Sequence, residues 1–320
     1  MTKEGNVENI MIYTITLNPS LDYMVTLEEF YVGATNKAKE AYLVAGGKGI
    51  NVSYMLQNLN IETKAMGFVA GFTGREILRQ LEKRGLSGEF IMLKEGESRI
   101  NIKLRTMEET EINAKGPVIS TKDIELLLEK LSCVEKGDIV ILSGSLPASE
   151  EENLYVRIVQ ELKTKQVKII ADTAGKVLLD LLPYEPFFIK PNQYELGELF
   201  QVSIENAADA ISYAKKLQEL GAKNVLVSLG AEGAVLVTET RKVFVEKPPT
   251  GKLVNSVGAG DSMVAGFVAG WLRKEIYEYA FLMALASGSG SAYAEEFATR
   301  KEVEKLYEEL KMRRIPYADL

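Results

Sequence analysis

Histidine is absent from all 320 residues. Its absence excludes Ser-His-Asp and Cys-His nucleophilic machinery and the common histidine-based metal sites. Proton transfer must fall to Asp, Glu, Lys or Tyr, and a metal ion should be a hard cation such as Mg²⁺ held by oxygen. Cysteine occurs once, at Cys133, so no intrachain disulfide can form, and this usage suits a reducing, cytoplasmic setting. Cys133 falls at the end of an expected helix and reads as a buried structural thiol. Positive charge is not in excess: 38 Lys and Arg against 45 Asp and Glu give a net charge of −7. That balance argues against nucleic acid as a partner and leaves room for a local basic pocket. Long apolar runs are also missing. The longest, Leu253 to Gly270, is interrupted by Asp261, so no membrane span is expected. The first ten residues, MTKEGNVENI, contain no apolar signal core. Met11 reads as a natural start preceded by an extension.

Apolar residues make up 46% of the chain, enough for a substantial core. From Thr121 onward, expected helices (121–132, 150–165, 175–182, 206–220) alternate with short buried strands. The strands are Asp138–Leu142, Lys168–Asp172, Phe187–Lys190 and Asn224–Ser228. An antiparallel pair, 234–238 with 242–245, follows. Such alternation predicts an α/β fold with a mainly parallel central sheet and helices on both faces. Met11–Leu17, before a break at Asn18-Pro19-Ser20, is a further buried strand. Two segments depart from this rhythm. Residues at about 23–45 and 97–115 alternate polar and apolar side chains, as half-exposed strands do. They are expected to form a small inserted β-sheet lid on a single domain spanning 11–315. A lid that excludes water suits phosphoryl transfer.

The candidate chemistry lies at strand ends and glycine turns. Leu253 starts a β-like run that breaks at Gly258-Ala259-Gly260 and continues from Asp261 as a small-residue helix. Free amides at a helix start bind anions, and the adjacent carboxylate can take a proton. The alternative is a glycine-softened helix start with Asp261 as its N-cap. The positive helix end is expected to keep Asp261 ionised. Ala45-Gly46-Gly47-Lys48-Gly49-Ile50-Asn51 opens a helix, and is neither a Walker A loop nor GxGxxG. Asp22 lies just past a buried strand, either as a ligand contact or as an ordinary turn residue. Arg99, Asn101 and Lys103 alternate, so they share one face. They fit a sugar phosphate, or a solvated edge. Asn192 and Glu195 are spaced either to face one hydrated Mg²⁺ or to form a capping box; both can hold at once. Ser228-x-Gly230-x-x-Gly233 is a tight turn that a nucleotide phosphate could approach, or simply a β-turn. The small residues of 279–294 suit close helix packing or a flat base.

Taken in order, Asn18-Pro19-Ser20-x-Asp22, Gly46-Gly47-Lys48-Gly49-Ile50-Asn51, Gly144-Ser145-Leu146-Pro147, Asn192-x-x-Glu195 and Gly258-Ala259-Gly260-Asp261 resemble the PfkB (ribokinase-like) sugar kinases over residues 11 to about 315. The resemblance is strongest to the phosphofructokinase-like branch. It implies a ribokinase-like fold and ATP-dependent phosphorylation of a sugar phosphate, with fructose 1-phosphate as the expected substrate. Tagatose 6-phosphate and fructose 6-phosphate are the alternatives, and a sensing module without turnover is the non-enzymatic one. It implies that Asp22, Gly47 and Asn51 hold sugar hydroxyls and that Arg99 reaches the substrate phosphate, helped by Lys48, Asn101, Lys103 and Ser145. Lys190, Asn192 and Glu195 correspond to the ATP and Mg²⁺ neighbourhood, with Asn192 and Glu195 as the metal pair. Ser228, Gly230 and Gly233 correspond to the nucleotide turn, and Ser287 to a position near the adenine. Asp261 corresponds to the general base, and Gly258, Ala259 and Gly260 to the anion hole. A homodimer joined through the lid is also implied. One departure is Asn255-Ser256, where many members carry Asp-Thr; it weakens transfer of the monovalent-cation site.

Overall fold

A computed structural model describes residues 10–106, 109–149 and 151–314. Residues 1–9 of the expected extension, and residues 107–108 of the expected turn in the second lid segment, lie outside it. Strand β1 (Ile12–Thr16) passes almost directly into β2 (Ser20–Thr26), followed by β3 (Glu40–Gly46), α1 (Lys48–Asn58), β4 (Lys64–Ala70), α2 (Gly71–Lys83), β5 (Gly88–Leu93), β6 (Arg99–Arg105) and β7 (Glu109–Ile112). The second half runs α3 (Thr121–Lys130), β8 (Ile139–Ser143), α4 (Leu154–Leu162), β9 (Lys168–Asp172), α5 (Gly175–Leu181), β10 (Phe188–Ile189), α6 (Gln193–Phe200) and α7 (Ala207–Glu219). It closes with β11 (Asn224–Ser228), β12 (Ala234–Val237), β13 (Val243–Glu246), α8 (Ala259–Lys274), α9 (Tyr277–Ala292) and α10 (Arg300–Met312).

Nine strands form the large sheet in the order β13-β12-β11-β10-β9-β8-β1-β4-β5. All neighbours from β11 to β5 pair parallel, and β12 and β13 continue antiparallel. Strands such as IYTIT and IVILS are buried at every position, because helices cover both faces. One face packs apolar residues of α3 to α7, including Leu127, Ile158, Leu178, Leu196 and Leu217. The other packs α1, α8, α9 and α10 through Met55, Phe267, Phe281 and Val303. No helix among the described residues is long and apolar enough to cross a membrane. The chain leaves β1 toward β4 on one side and returns through β8 on the other. The crevice beyond the carboxyl ends of β1 and β8 is thus a topological switch point, where open α/β sheets bind ligands.

The small sheet has the order β3-β2-β6-β7. β2 pairs antiparallel with β3 but parallel with β6, placing Asp22 opposite both Val44 and Asn101. Alternation gives the sheet two unlike faces. Asp22, Arg99, Asn101, Lys103 and Glu111 share one. Leu43, Tyr23, Ile102 and Ile112 line up across all four strands on the other.

Several boundaries differ from expectation. The first lid strand starts at Ser20, not Tyr23, since the pairing begins immediately after Pro19. β5 was not expected; its sequence, GEFIML, carries little alternation. The helix expected over 150–165 is α4 followed by a 3₁₀ turn at Lys163–Lys165. Leu253–Val257 is not a strand. The amides of Val254 and Asn255 both donate to the Ala292 carbonyl at the end of α9 (2.8 and 3.1 Å), and the Leu253 side chain is exposed. Cys133 is exposed rather than buried, because Leu131 takes the inward position of the 3₁₀ turn after α3.

Gly67 of β4 has φ +154°, and a methyl group added there would overlap the Thr16 carbonyl of β1. Gly67→Ala should therefore lower unfolding free energy by at least about 2 kcal/mol. Urea denaturation checks this, with a lowered midpoint at unchanged slope.

Candidate active site

Five strand ends converge on the crevice. Beyond β1 come Asn18 and Asp22; β8 ends at Ser143, β9 at Asp172 and β11 at Ser228, and Lys190 directly follows β10. Helices α1 and α8 present their first turns to the same place. Gly47 precedes α1 with φ +123°, where a methyl would press on Thr16 at 2.9 Å. Gly258 precedes α8 with φ +78°. Neither helix start carries a side-chain cap, so the first-turn amides keep their electrostatic pull on anions.

Asp261 lies inside the first turn of α8 rather than at its N-cap, which removes the capping alternative. Its Oδ2 accepts a hydrogen bond from Asn51 Nδ2 of α1 at 2.7 Å. Burial, followed by the nearby Asp172 carboxylate, pushes its pKa up to about 6; Lys48, Asn51 and Lys190 pull the other way. The group remains mostly ionised at pH 7, as expected, although the desolvation of a nearly buried carboxyl raises its pKa instead of leaving it at the ordinary value.

Asp172 is the residue that the motifs did not single out. It is buried, and neither carboxylate oxygen has a hydrogen-bond partner. Its Oδ1 lies 3.6 Å from Lys48 Nζ and 3.7 Å from Lys190 Nζ. Burial pushes its pKa up, but the two ammonium groups more than offset this and hold it below the usual carboxylate range. Asp172 in turn, against the cost of burial, holds the Lys48 ammonium above its ordinary range. The signal was available: Asp172 ends a buried strand, as Asp22 follows one, and a carboxylate there is unusual enough to question.

Lys48 also lies 3.8 Å from Glu195 Oε1. It therefore bridges the end of β9 and the start of α6. Asn192 and Glu195 do form a capping box: Asn192 Oδ1 accepts from the amides of Tyr194 and Glu195, and Glu195 Oε2 accepts from the Asn192 amide. Asn192 Oδ1 is thus largely committed, and Glu195 Oε1 is the oxygen left toward the crevice. No group of three Asp, Glu, His or Cys residues is placed to hold a metal ion among the described residues. Glu195 with the orphaned Asp172 oxygens nearby suits a hydrated cation that takes most of its ligands from water and phosphate.

Lys190 is buried, and its Nζ sits beneath Gly260, where an added methyl would meet it at 3.0 Å. A fixed positive charge thus underlies the proposed anion hole. The Ala259 amide is partly engaged with the Ser256 carbonyl at 3.3 Å. Ser228 bridges Asn192 in parallel fashion, and its amide donates to the Pro191 carbonyl at 3.2 Å. The Leu229 amide closes the next turn onto the Gly233 carbonyl at 2.8 Å, with Gly230 and Gly233 both at positive φ.

On the lid, Arg99 Nε donates to the Asn18 carbonyl at 3.1 Å, and burial lowers its pKa. Lys103 Nζ pairs with Glu111 at 2.5 Å on the same lid face. Ser145 is exposed, following Gly144 (φ +95°), which lies near the Lys48 side chain. Ser287 does not line the crevice. It is fully buried in the seam where α9 packs on Gly266 of α8, as close helix packing requires.

Comparison with known proteins agrees with this geometry. The pfkB family carbohydrate kinase model matches residues 15–301. The chain belongs to the PfkB family of carbohydrate kinases. Among PfkB relatives, 1-phosphofructokinase of Bacillus subtilis is 45% identical over 95% of this chain and 100% of its own length. D-tagatose-1-phosphate kinase of Bacillus licheniformis is 36% identical over 81% of this chain and 84% of its own. The crystal structure of phosphofructokinase-2 from Escherichia coli in complex with fructose-6-phosphate superposes with a TM-score of 0.87 at 26% identity, covering 94% of this chain and 99% of that one.

Kinase activity should fall with pH as Asp261 takes up its proton. Because its pKa is raised to about 6, kcat/KM should be level above that value and drop about tenfold per unit below it. A pH–rate profile checks this. Asp261→Asn should lose about 10²–10⁴-fold in kcat while still binding both substrates by calorimetry.

Proposed function

We propose that this chain catalyses ATP-dependent phosphorylation of fructose 1-phosphate to fructose 1,6-bisphosphate. The observation that carries the reading is Asp261, buried at the first turn of α8 and oriented by Asn51, between a sugar-facing lid and a nucleotide-facing turn. The identity to the B. subtilis 1-phosphofructokinase supports the choice of substrate. The D-tagatose-1-phosphate kinase relative supports the same anchoring end. Fructose and tagatose differ only in configuration at C4, so both would present the C6 hydroxyl to the base.

Asp22, Gly47 and Asn51 hold the sugar hydroxyls, and Arg99 and Lys103 take the 1-phosphate. Lys103 must then exchange its Glu111 partner for phosphate oxygen. ATP lies along Lys190, Asn192, Ser228, Gly230 and Gly233. Asp261 accepts the proton of the C6 hydroxyl as its oxygen attacks the γ-phosphorus; the bond to the β–γ bridging oxygen breaks and ADP leaves. The first-turn amides from Gly258 to Gly260 and the Lys190 ammonium stabilise charge on the transferring group. Mg²⁺, held near Glu195 through water, would neutralise the phosphate oxygens. The use of ATP and a phosphorylated sugar supports a cytoplasmic setting.

The lid also supports a homodimer. Tyr23, Leu43 and Ile112 are 39%, 43% and 54% exposed in one apolar row on its outer face, and a second copy would cover them. The E. coli phosphofructokinase-2 is itself known in a tetrameric inhibited form.

A substrate panel tests the reading. With ATP, kcat/KM should be highest for fructose 1-phosphate, then tagatose 1-phosphate. Preference for fructose 6-phosphate or tagatose 6-phosphate would reverse the substrate in the site and reject it. Light scattering at micromolar concentration should report a dimer, and Leu43→Asp should yield monomers. A monomeric wild type would remove the lid interface.

A further inference from the structure

Asp22 is the one carboxylate on the inner face of the lid strand β2, yet it is not free to turn. Its Oδ1 accepts from Ser20 Oγ at 2.6 Å and from Asn101 Nδ2 at 3.0 Å. Its Oδ2 faces Gly46, where an added methyl would meet it at 2.5 Å. One oxygen is therefore held internally and the other is left for a ligand, in a space that only glycine keeps open. Asn101 is 3% exposed and stands directly opposite Asp22 across the parallel β2–β6 pair. Its other end is also used: Oδ1 accepts from the Ala114 amide at 3.2 Å, in the segment that leads from β7 back to the large sheet. Two residues on, Gly116 packs so closely against Asn18 that a side chain would overlap the Asn18 amide oxygen. Arg99 holds the carbonyl of the same Asn18.

We infer that Asn101 is a positioning residue that selects the sugar through Asp22, rather than a contact to the substrate phosphate. Its amide fixes which carboxylate oxygen faces the sugar, and its carbonyl oxygen ties that choice to the returning lid segment. A carboxylate free to rotate would accept hydroxyls in many orientations. One locked by two donors accepts a hydroxyl from a single direction, as discrimination between sugars differing at one carbon requires. The unpaired carboxylate of an unlocked site would also carry a desolvation cost when the sugar covers it.

The inference rests on the sugar-kinase reading, and a double-mutant cycle separates the two. The wild type is first assayed on the four ketose phosphates; failure to phosphorylate any of them rejects the functional reading before a variant is made. Asn101→Ala, Asp22→Ala and the double variant are then compared on the best substrate. Asn101→Ala should raise the KM for the sugar phosphate about tenfold, with the KM for ATP unchanged. In the Asp22→Ala background the same substitution should change it less than about twofold. An equal tenfold effect in both backgrounds would show that Asn101 touches the substrate itself and would overturn the inference. So would a parallel rise in both KM values accompanied by a lowered Tm, the mark of a purely structural role. Should Asn101→Ala not fold, Asn101→Leu carries the same cycle, since it fills the space with a side chain of similar size and removes the donor to Asp22 without adding charge.

Discussion

Four charged groups that cannot be set independently govern this site. Lys48 and Lys190 flank the buried Asp172, and Asp172 in turn opposes ionisation of Asp261. Lys190 alone would be costly to bury, and so would the carboxylate, while Lys48 reaches the carboxylate from a half-buried position. Together they form a nearly neutral cluster that a closed sheet can hold. The arrangement leaves Asp261 as the group with the least compensation, and therefore the one nearest to exchanging a proton at neutral pH. That property is what a base acting on a sugar hydroxyl requires. The cluster also draws together α1, β9, the end of β10 and α8, elements far apart in the chain. The sheet's switch point is where they can meet.

Glycine makes this convergence possible in two ways. At Gly47 and Gly258 it supplies the backbone angles by which a loop turns into a helix facing the site. At Gly46 and Gly260 it leaves room, for Asp22 Oδ2 in one case and for the Lys190 ammonium in the other. The same requirement explains the small residues of α9, whose seam with α8 admits no side chain on Gly266. That seam packs α8 behind its first turn, so the backbone from Gly258 to Gly260 is positioned by contacts far along the helix.

What the sequence makes legible follows from how local each feature is. The glycine turns, the strand end at Ser228, and the shared face of Arg99, Asn101 and Lys103 depend on short-range geometry, and they could be read directly. The α/β alternation was equally plain, since each buried strand carries its own apolar run. Asp172 was passed over because its meaning lies in partners 124 and 18 residues away, at Lys48 and Lys190. The ionised state of Asp261 at neutral pH was legible, but its raised pKa was not, because helix-end potential is visible in a motif while burial and an opposing carboxylate are not. At Ser287 and at Leu253–Val257 the local pattern left the partner open. A small-residue face does not say whether a helix or a ligand covers it. An apolar run does not say whether a strand or a helix end will pair its backbone.

The parallel pairing of β2 with β6 has a consequence for how the molecule is made. β2 ends at Thr26 and β6 begins at Arg99, so the lid cannot close until β3, α1, β4, α2 and β5 have been synthesised and folded between them. Until then the β2–β3 hairpin carries a bare edge and an apolar row, in a chain emerging at about 5–20 residues per second. Contacts of such sequence separation form late. One of the earliest segments of the chain thus waits for β6 before the lid sheet is complete. A ribosome-bound intermediate would expose that hairpin edge for several seconds, as a docking strand for chaperones or for a neighbouring nascent chain.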